Sequence, residues 1–205
     1  MERRRFANTS MEYFATRELK KYDNGRYCIG EPCEVPIEEI IENQYDISIE
    51  YHYLRKNMRT LGQMVFDGGH VPIYDTEKNQ YTLIDVSPKT MLIDIRLVNL
   101  SRYRNKLRFT YAHELAHYLI HKEYFKNGTE SPPLLYTGVS MEDDWIEKQA
   151  NMFCSYFLVP TGQMKKAYNR RLTSNGGGNI VKELADLFGV AKTTMEIRLM
   201  EHGLL

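Results

Sequence analysis

The feature that most constrains this chain is a change of period near Asn99. From Ile47 to Val98 the segments ISIEYHYL, LGQMVFD, VPIYD, QYTLIDV and TMLIDIRLV alternate apolar with polar residues or are rich in β-branched ones. A two-residue repeat is that of a strand, whose side chains point to opposite faces in turn. Asp67-Gly68-Gly69 and Lys78-Asn79 supply turn chemistry between the segments. Residues 47–98 therefore read as an antiparallel sheet of three to five strands. Beyond Asn99 the apolar spacing becomes helical and stays so. Strands first and helices afterwards predict an α+β fold, not an alternating parallel one.

Two helices are expected over residues 1–45, one in SMEYFATRELKKY, stopped by Asn24-Gly25, and one after Pro36. Helices over 105–158 follow the sheet, with a Gly- and Pro-containing connection at 122–140 and a stop at Val159-Pro160. Together these make a first domain of residues 1–160. Residues 161–205 form a helical C-terminal segment, interrupted by the flexible SNGGGN. At 205 residues and 42% hydrophobic, the chain can bury a substantial core. Lys plus Arg equals Asp plus Glu, 27 each, so there is little sequence-independent attraction for nucleic acid. No apolar run reaches the length of about 20 residues that a membrane span needs. The basic N-terminal residues lack a following apolar stretch, so no secretion signal is expected. Cys28, Cys33 and Cys154 have neither zinc-site spacing nor an even count, which reads as free thiols in a cytoplasmic protein.

The chemistry concentrates in RFTYAHELAHYLIH, which holds half of the six histidines. His113-Glu114-Leu115-Ala116-His117 is HExxH. On a helix, residues four apart share a face, so both imidazoles reach one ion at about 2.0–2.1 Å, as zinc requires. Glu114 projects beside that ion, placed to move a proton between water and a leaving amine. Catalytic zinc takes three protein ligands and keeps one position open. The metzincin extension would need Gly at 120 and His at 123, where this chain has Ile120 and Glu123. A glutamate on a later helix is the other option. Glu147, thirty residues after His117, lies in DDWIEKQANMFCSYFLVP, a helix with an apolar stripe at Trp145, Phe153, Tyr156 and Phe157. Glu142, Asp143 and Asp144 are its rivals. Asn151, one turn beyond Glu147, is placed to accept the second ring N–H of His113 and so hold its tautomer.

These two stretches resemble the ImmA/IrrE family of metallopeptidases, with its patterns RFTxAHElaHxxxH and ExxAnxFaxxLLmP. TMLIDIRL and FGVAKTTMEIRLMEHGLL resemble flanking parts of the same family, so the similarity runs from about Pro36 to the C-terminus. The resemblance implies a minigluzincin-like fold, a sheet packed on the HExxH and glutamate-bearing helices, with Glu147 as third ligand of Zn2+. It also implies a protein substrate: a helix-turn-helix repressor of a phage or mobile element, or an antitoxin-like regulator. Cys154 for the usual alanine and Phe157-Leu158-Val159 for the aliphatic run are the departures.

His121 reads as a helix-end histidine stabilised by the dipole, too far along the axis to share the ion. Arg108 packs or pairs near the helix start. Tyr111, Tyr118, Tyr136 and Tyr156 are conceivable oxyanion donors and equally conceivable core residues. TMLIDIRLV is a candidate sheet edge for an extended substrate. In VKELADLFGVAKTTMEIRLM, Ala185 and Gly189 suit a helix-turn-helix, with Leu184, Phe188, Val190, Met195 and Leu199 as its core. Its second helix would expose Lys192, Thr193, Thr194 and Glu196, a weak set for phosphates or bases, so direct DNA contact is not expected. Two rival functions remain: a DNA-binding regulator with a structural zinc site, and a non-cleaving toxin–antitoxin module.

Overall fold

The computed structural model describes residues 8–127, 144–174 and 178–205. The fold is α+β. Its strands are β1 (Ser48–His52), β2 (Gly62–Val65), β3 (Gly69–Asp75), β4 (Gln80–Val86) and β5 (Thr90–Asp94). The longer helices are α1 (Asn8–Lys20), α2 (Arg104–Ala116), α3 (Asp144–Leu158), α4 (Thr161–Thr173), α5 (Ile180–Phe188) and α6 (Lys192–Glu201). The chain separates into two compact units, Glu38–Ala150 and the pair Met1–Ile37 with Asn151–Leu205. Among the described residues no helix is long and apolar enough to cross a membrane.

Within residues 38–150 the expected strands form, but not as one antiparallel sheet. β3 and β4 are a separate antiparallel hairpin, and β1-β5-β2 is a mixed sheet in which β1 runs parallel to β5. A parallel pair needs a long crossover, and the stretch carrying β2 and the hairpin between β1 and β5 provides it. β5 is thus the central strand, not an edge. It is buried along its whole length, which explains why TMLID runs apolar instead of alternating. Val65 and Leu92 join Leu54, Val71 and Val86 in the core under the hairpin. The residues between them face the other way, where α2 packs on β2 and β5.

Buried Asp94 ends β5 and ties the corner that follows. It accepts from the Leu54 N–H at 3.2 Å and from the Arg96 guanidinium, whose Nη2 lies 2.6 Å away. The chain then turns through a short helix, Arg96–Asn99, into α2. Helical structure continues beyond α2 as a π-helical turn, His117–His121, and a last stretch, Lys122–Asn127. The connection expected at 122–140 therefore begins as helix, and the rest of it lies outside the described residues.

In the other unit Met11, Ala15 and Leu19 of α1 are fully buried, and Phe14 packs on Phe153 at 6.0 Å. Phe153 in turn stacks on Phe157 at 5.0 Å. Arg198 is fully buried, donating to Thr161 Oγ1 at 2.6 Å and to the Val159 carbonyl, pairing with Glu201 at 2.6 Å, and lying over the Tyr156 ring. Gly189, at φ 62°, closes α5 in the left-handed conformation, and the Val190 N–H returns to the Ala185 carbonyl. Leu184, Phe188, Val190, Met195 and Leu199 are all buried around this turn, as the helix-turn-helix pattern predicts. The outward face of α6 differs from expectation. Thr194 and Glu196 are half-buried, and Ile197 and Met200 are exposed beside Lys192 and Thr193.

Candidate metal centre and proton-transfer site

α2 presents Arg108, Thr110 to Ala116 and then His117 in a buried run, one flank packing on β2 and β5 and the histidines meeting Glu147. His113 and His117, one helical turn apart, bring their Nε2 atoms to 3.0 Å. Glu147, on α3, approaches from across, with Oε2 3.1 Å from His113 Nε2 and Oε1 3.5 Å from His117 Nε2. The three side chains offer two imidazole nitrogens and a carboxylate oxygen, mutually within 4.8 Å. Tetrahedral ligands each about 2.0–2.1 Å from zinc stand about 3.4 Å apart, which the observed spacings approach. The donor set also matches a three-ligand zinc site in chemical type. Of the rivals to Glu147, Glu142 and Asp143 lie outside the described residues.

Glu114 is almost completely buried beside this cluster. Burial pushes its carboxyl up to about 7, reinforced by the nearby Glu147 charge and opposed by His113 and by the Met64 N–H that the carboxylate accepts. The reason it fits is Gly62. A Cβ there would stand 2.8 Å from both Cγ and Oε1 of Glu114 and 2.8 Å from Thr110 Cγ2. Gly62 is in β2, which among the described residues has β5 on one side only, so Glu114 lies along an open edge of that sheet. A glycine inside the strand pattern LGQMVFD was the available signal for this close approach.

His121 departs from the sequence expectation. The helix does not end there, and the side chain is buried at 1% exposure. Its Nδ1 lies 3.1 Å from His117 Nδ1, and its Nε2 lies 3.2 Å from Gln149 Oε1. Trp145 and Phe125 set their rings edge-on against it. Burial moves His121 down to about 4 and His117 well below its ordinary value. Sequence reasoning missed Gln149, two residues from Glu147 and so aimed at a different histidine. Asn151, the residue expected beside His113, is an exposed residue of α3.

The tyrosines sort by their partners. The Tyr111 hydroxyl bonds Tyr51 at 2.7 Å and Glu38 at 3.2 Å, and burial pushes it far up. Tyr118 stacks on Phe66. Tyr156 lies under the buried Arg198, and Tyr136 falls outside the described residues. Cys28, Cys33 and Cys154 are not joined in disulfides.

An HExxH helix packed on a small sheet, with a glutamate from a later helix facing its two histidines, is the arrangement of a metallopeptidase-type α+β protein. Residues 89–200, more than half the chain, match the family Peptidase_M78, the IrrE N-terminal-like domain. The chain belongs to that family. No curated protein matches it. Among solved structures it is similar to a Mycobacterium tuberculosis transcriptional regulator, with a TM-score of 0.50 and 16% identity. The match covers 93% of this chain and 46% of that one, so the chain spans about half the length of the regulator. At that identity the likeness is one of fold.

Proposed function

We infer that the protein is a cytoplasmic zinc endopeptidase whose substrate is a helix-turn-helix repressor or an antitoxin-like regulator. The observation that carries the reading is the convergence of His113, His117 and Glu147 with a buried carboxyl, Glu114, raised to about 7 at their side. A bound zinc ion would polarise the scissile carbonyl and acidify the attacking water. Glu114, poised near neutrality, takes the water's proton on a carboxylate oxygen and delivers it to the leaving amine nitrogen. Gly62 and the Met64 N–H hold Glu114 in place for both transfers. The open edge of β2 runs past Glu114 and suits an extended peptide that pairs as an added strand.

A protein partner is favoured over DNA by α6. Its outward face presents Ile197 and Met200, which can neither pair with phosphate nor donate to a base. The zinc-site regulator remains the second reading, resting on the helix-turn-helix geometry of α5 and α6.

The test measures zinc by mass spectrometry in wild type, Glu147→Ala and Glu114→Gln, then incubates each with purified repressors encoded beside the gene. About one zinc per chain in wild type and Glu114→Gln, little in Glu147→Ala, and repressor cleavage by wild type alone is the expected result. A wild type without zinc after supplementation overturns the peptidase reading. Zinc uptake with salt-sensitive DNA binding that survives loss of Glu114 would favour the regulator.

A further inference from the structure

We propose that Gln149 and His121 act as positioning residues that fix the tautomer of His117, leaving its Nε2 without a proton. The inference rests on the reading of His117 as a metal ligand, since only an unprotonated nitrogen can bind an ion. It begins at Gln149. The side-chain oxygen of an amide only accepts, and Gln149 Oε1 lies 3.2 Å from His121 Nε2. His121 Nε2 therefore carries the ring's hydrogen. A neutral imidazole has one N–H, so His121 Nδ1 is bare and accepts.

Facing that bare nitrogen at 3.1 Å is His117 Nδ1, which must donate. The single N–H of His117 is thereby spent on Nδ1. Its Nε2 is left as a lone pair, 3.0 Å from His113 Nε2 and 3.5 Å from Glu147 Oε1. All three members of the chain are buried, so water does not compete for their hydrogen bonds. Reversing the Gln149 amide reverses every proton: its NH2 donates to His121 Nε2, His121 Nδ1–H donates to His117 Nδ1, and the hydrogen of His117 lands on Nε2. That arrangement blocks the ion. The acceptor orientation of one glutamine amide thus decides whether a histidine two hydrogen bonds away can serve as a ligand. The outer-shell partner that the sequence places on His113, at Asn151, has its counterpart on His117.

The experiment has two readouts. Long-range 1H–15N correlation spectra of metal-free protein, labelled at histidine, report which His117 nitrogen is protonated. Competition with a chromophoric chelator gives the zinc affinity of wild type, Gln149→Glu, Gln149→Met, His121→Asn and His121→Phe. The expected pattern is the Nδ1–H tautomer at His117 in wild type and in Gln149→Glu, whose carboxylate still accepts. Gln149→Met and His121→Phe should bind zinc about 10–100-fold more weakly, as for other lost outer-shell partners. His121→Asn, whose carbonyl oxygen can accept from His117 Nδ1–H, should recover part of that loss. An Nε2–H tautomer at His117 in wild type overturns the proposal. So does wild-type zinc affinity in both Gln149→Met and His121→Phe. Thermal melts of the metal-free variants identify any that fail to fold, and Gln149→Met carries the test if His121→Phe is one of them. Absence of zinc binding in wild type instead overturns the metal-ligand reading, while the tautomer still judges the relay.

Discussion

Glu114 is in the wrong solvent for a carboxylate, and two expectations follow from that. Its carboxyl is raised from 4.5 to about 7, so the folded protein prefers it protonated. A raised value means stability present below the unfolded value and lost as pH climbs through the folded one. Replacing Glu114 by Gln removes that dependence. Metal-free Glu114→Gln should therefore exceed wild type in stability at pH 8 by on the order of 2–3 kcal/mol, with the difference vanishing near pH 4. Urea denaturation at the two pH values measures it. The same variant should lose about 10²–10⁴-fold in peptide hydrolysis. Gly62→Ala tests the neighbour. Its Cβ would collide with Glu114 and Thr110, so the carboxyl must shift, and a displacement of about 1 Å costs about 10²-fold in rate. Zinc content should stay at the wild-type value, and unchanged turnover would contradict the close packing of β2 against Glu114.

Elements are held in place at their ends. Asp94 joins β5 to the helix that leads into α2, so the approach to the HExxH helix is tied by one buried carboxylate. Asp94→Ala would leave the buried Leu54 N–H without its acceptor and take the carboxylate from Arg96, which keeps the Arg55 and Lys56 carbonyls, and should destabilise the protein by about 1–3 kcal/mol. Denaturant midpoints at constant m would register it. HExxH and the strand segments were legible in the sequence because each depends on local spacing, whereas Glu147, thirty residues beyond His117, entered as a candidate among neighbouring acids and through the family resemblance. Strand partners were not legible. TMLIDIRLV reads as well for an edge as for a centre, and only the crossover through β2 and the hairpin puts β5 between two neighbours. His121 was misread for a related reason: helix ends are weakly marked, and this helix continues through a π-helical turn to Asn127.

Zinc binding should register in the whole molecule as stability. Anything that binds the folded state alone stabilises it, by about 4 kcal/mol at a thousandfold excess over Kd. For a chain of this length that is a rise in Tm of about 10 °C on zinc addition, reversed by a chelator. Glu147→Ala should show no such rise, and calorimetry with and without zinc checks both. By itself the sequence determined what short-range geometry dictates: period, hence strands before helices; four-residue spacing, hence two histidines on one face; residue type, hence a donor set of the kind that can hold a metal. Tertiary structure alone decided which strand lies at the open edge, that a glycine there leaves room for Glu114, and that Gln149 meets His121. Those contacts join residues far apart in the chain, and no local periodicity records which distant side chain will fill a given space.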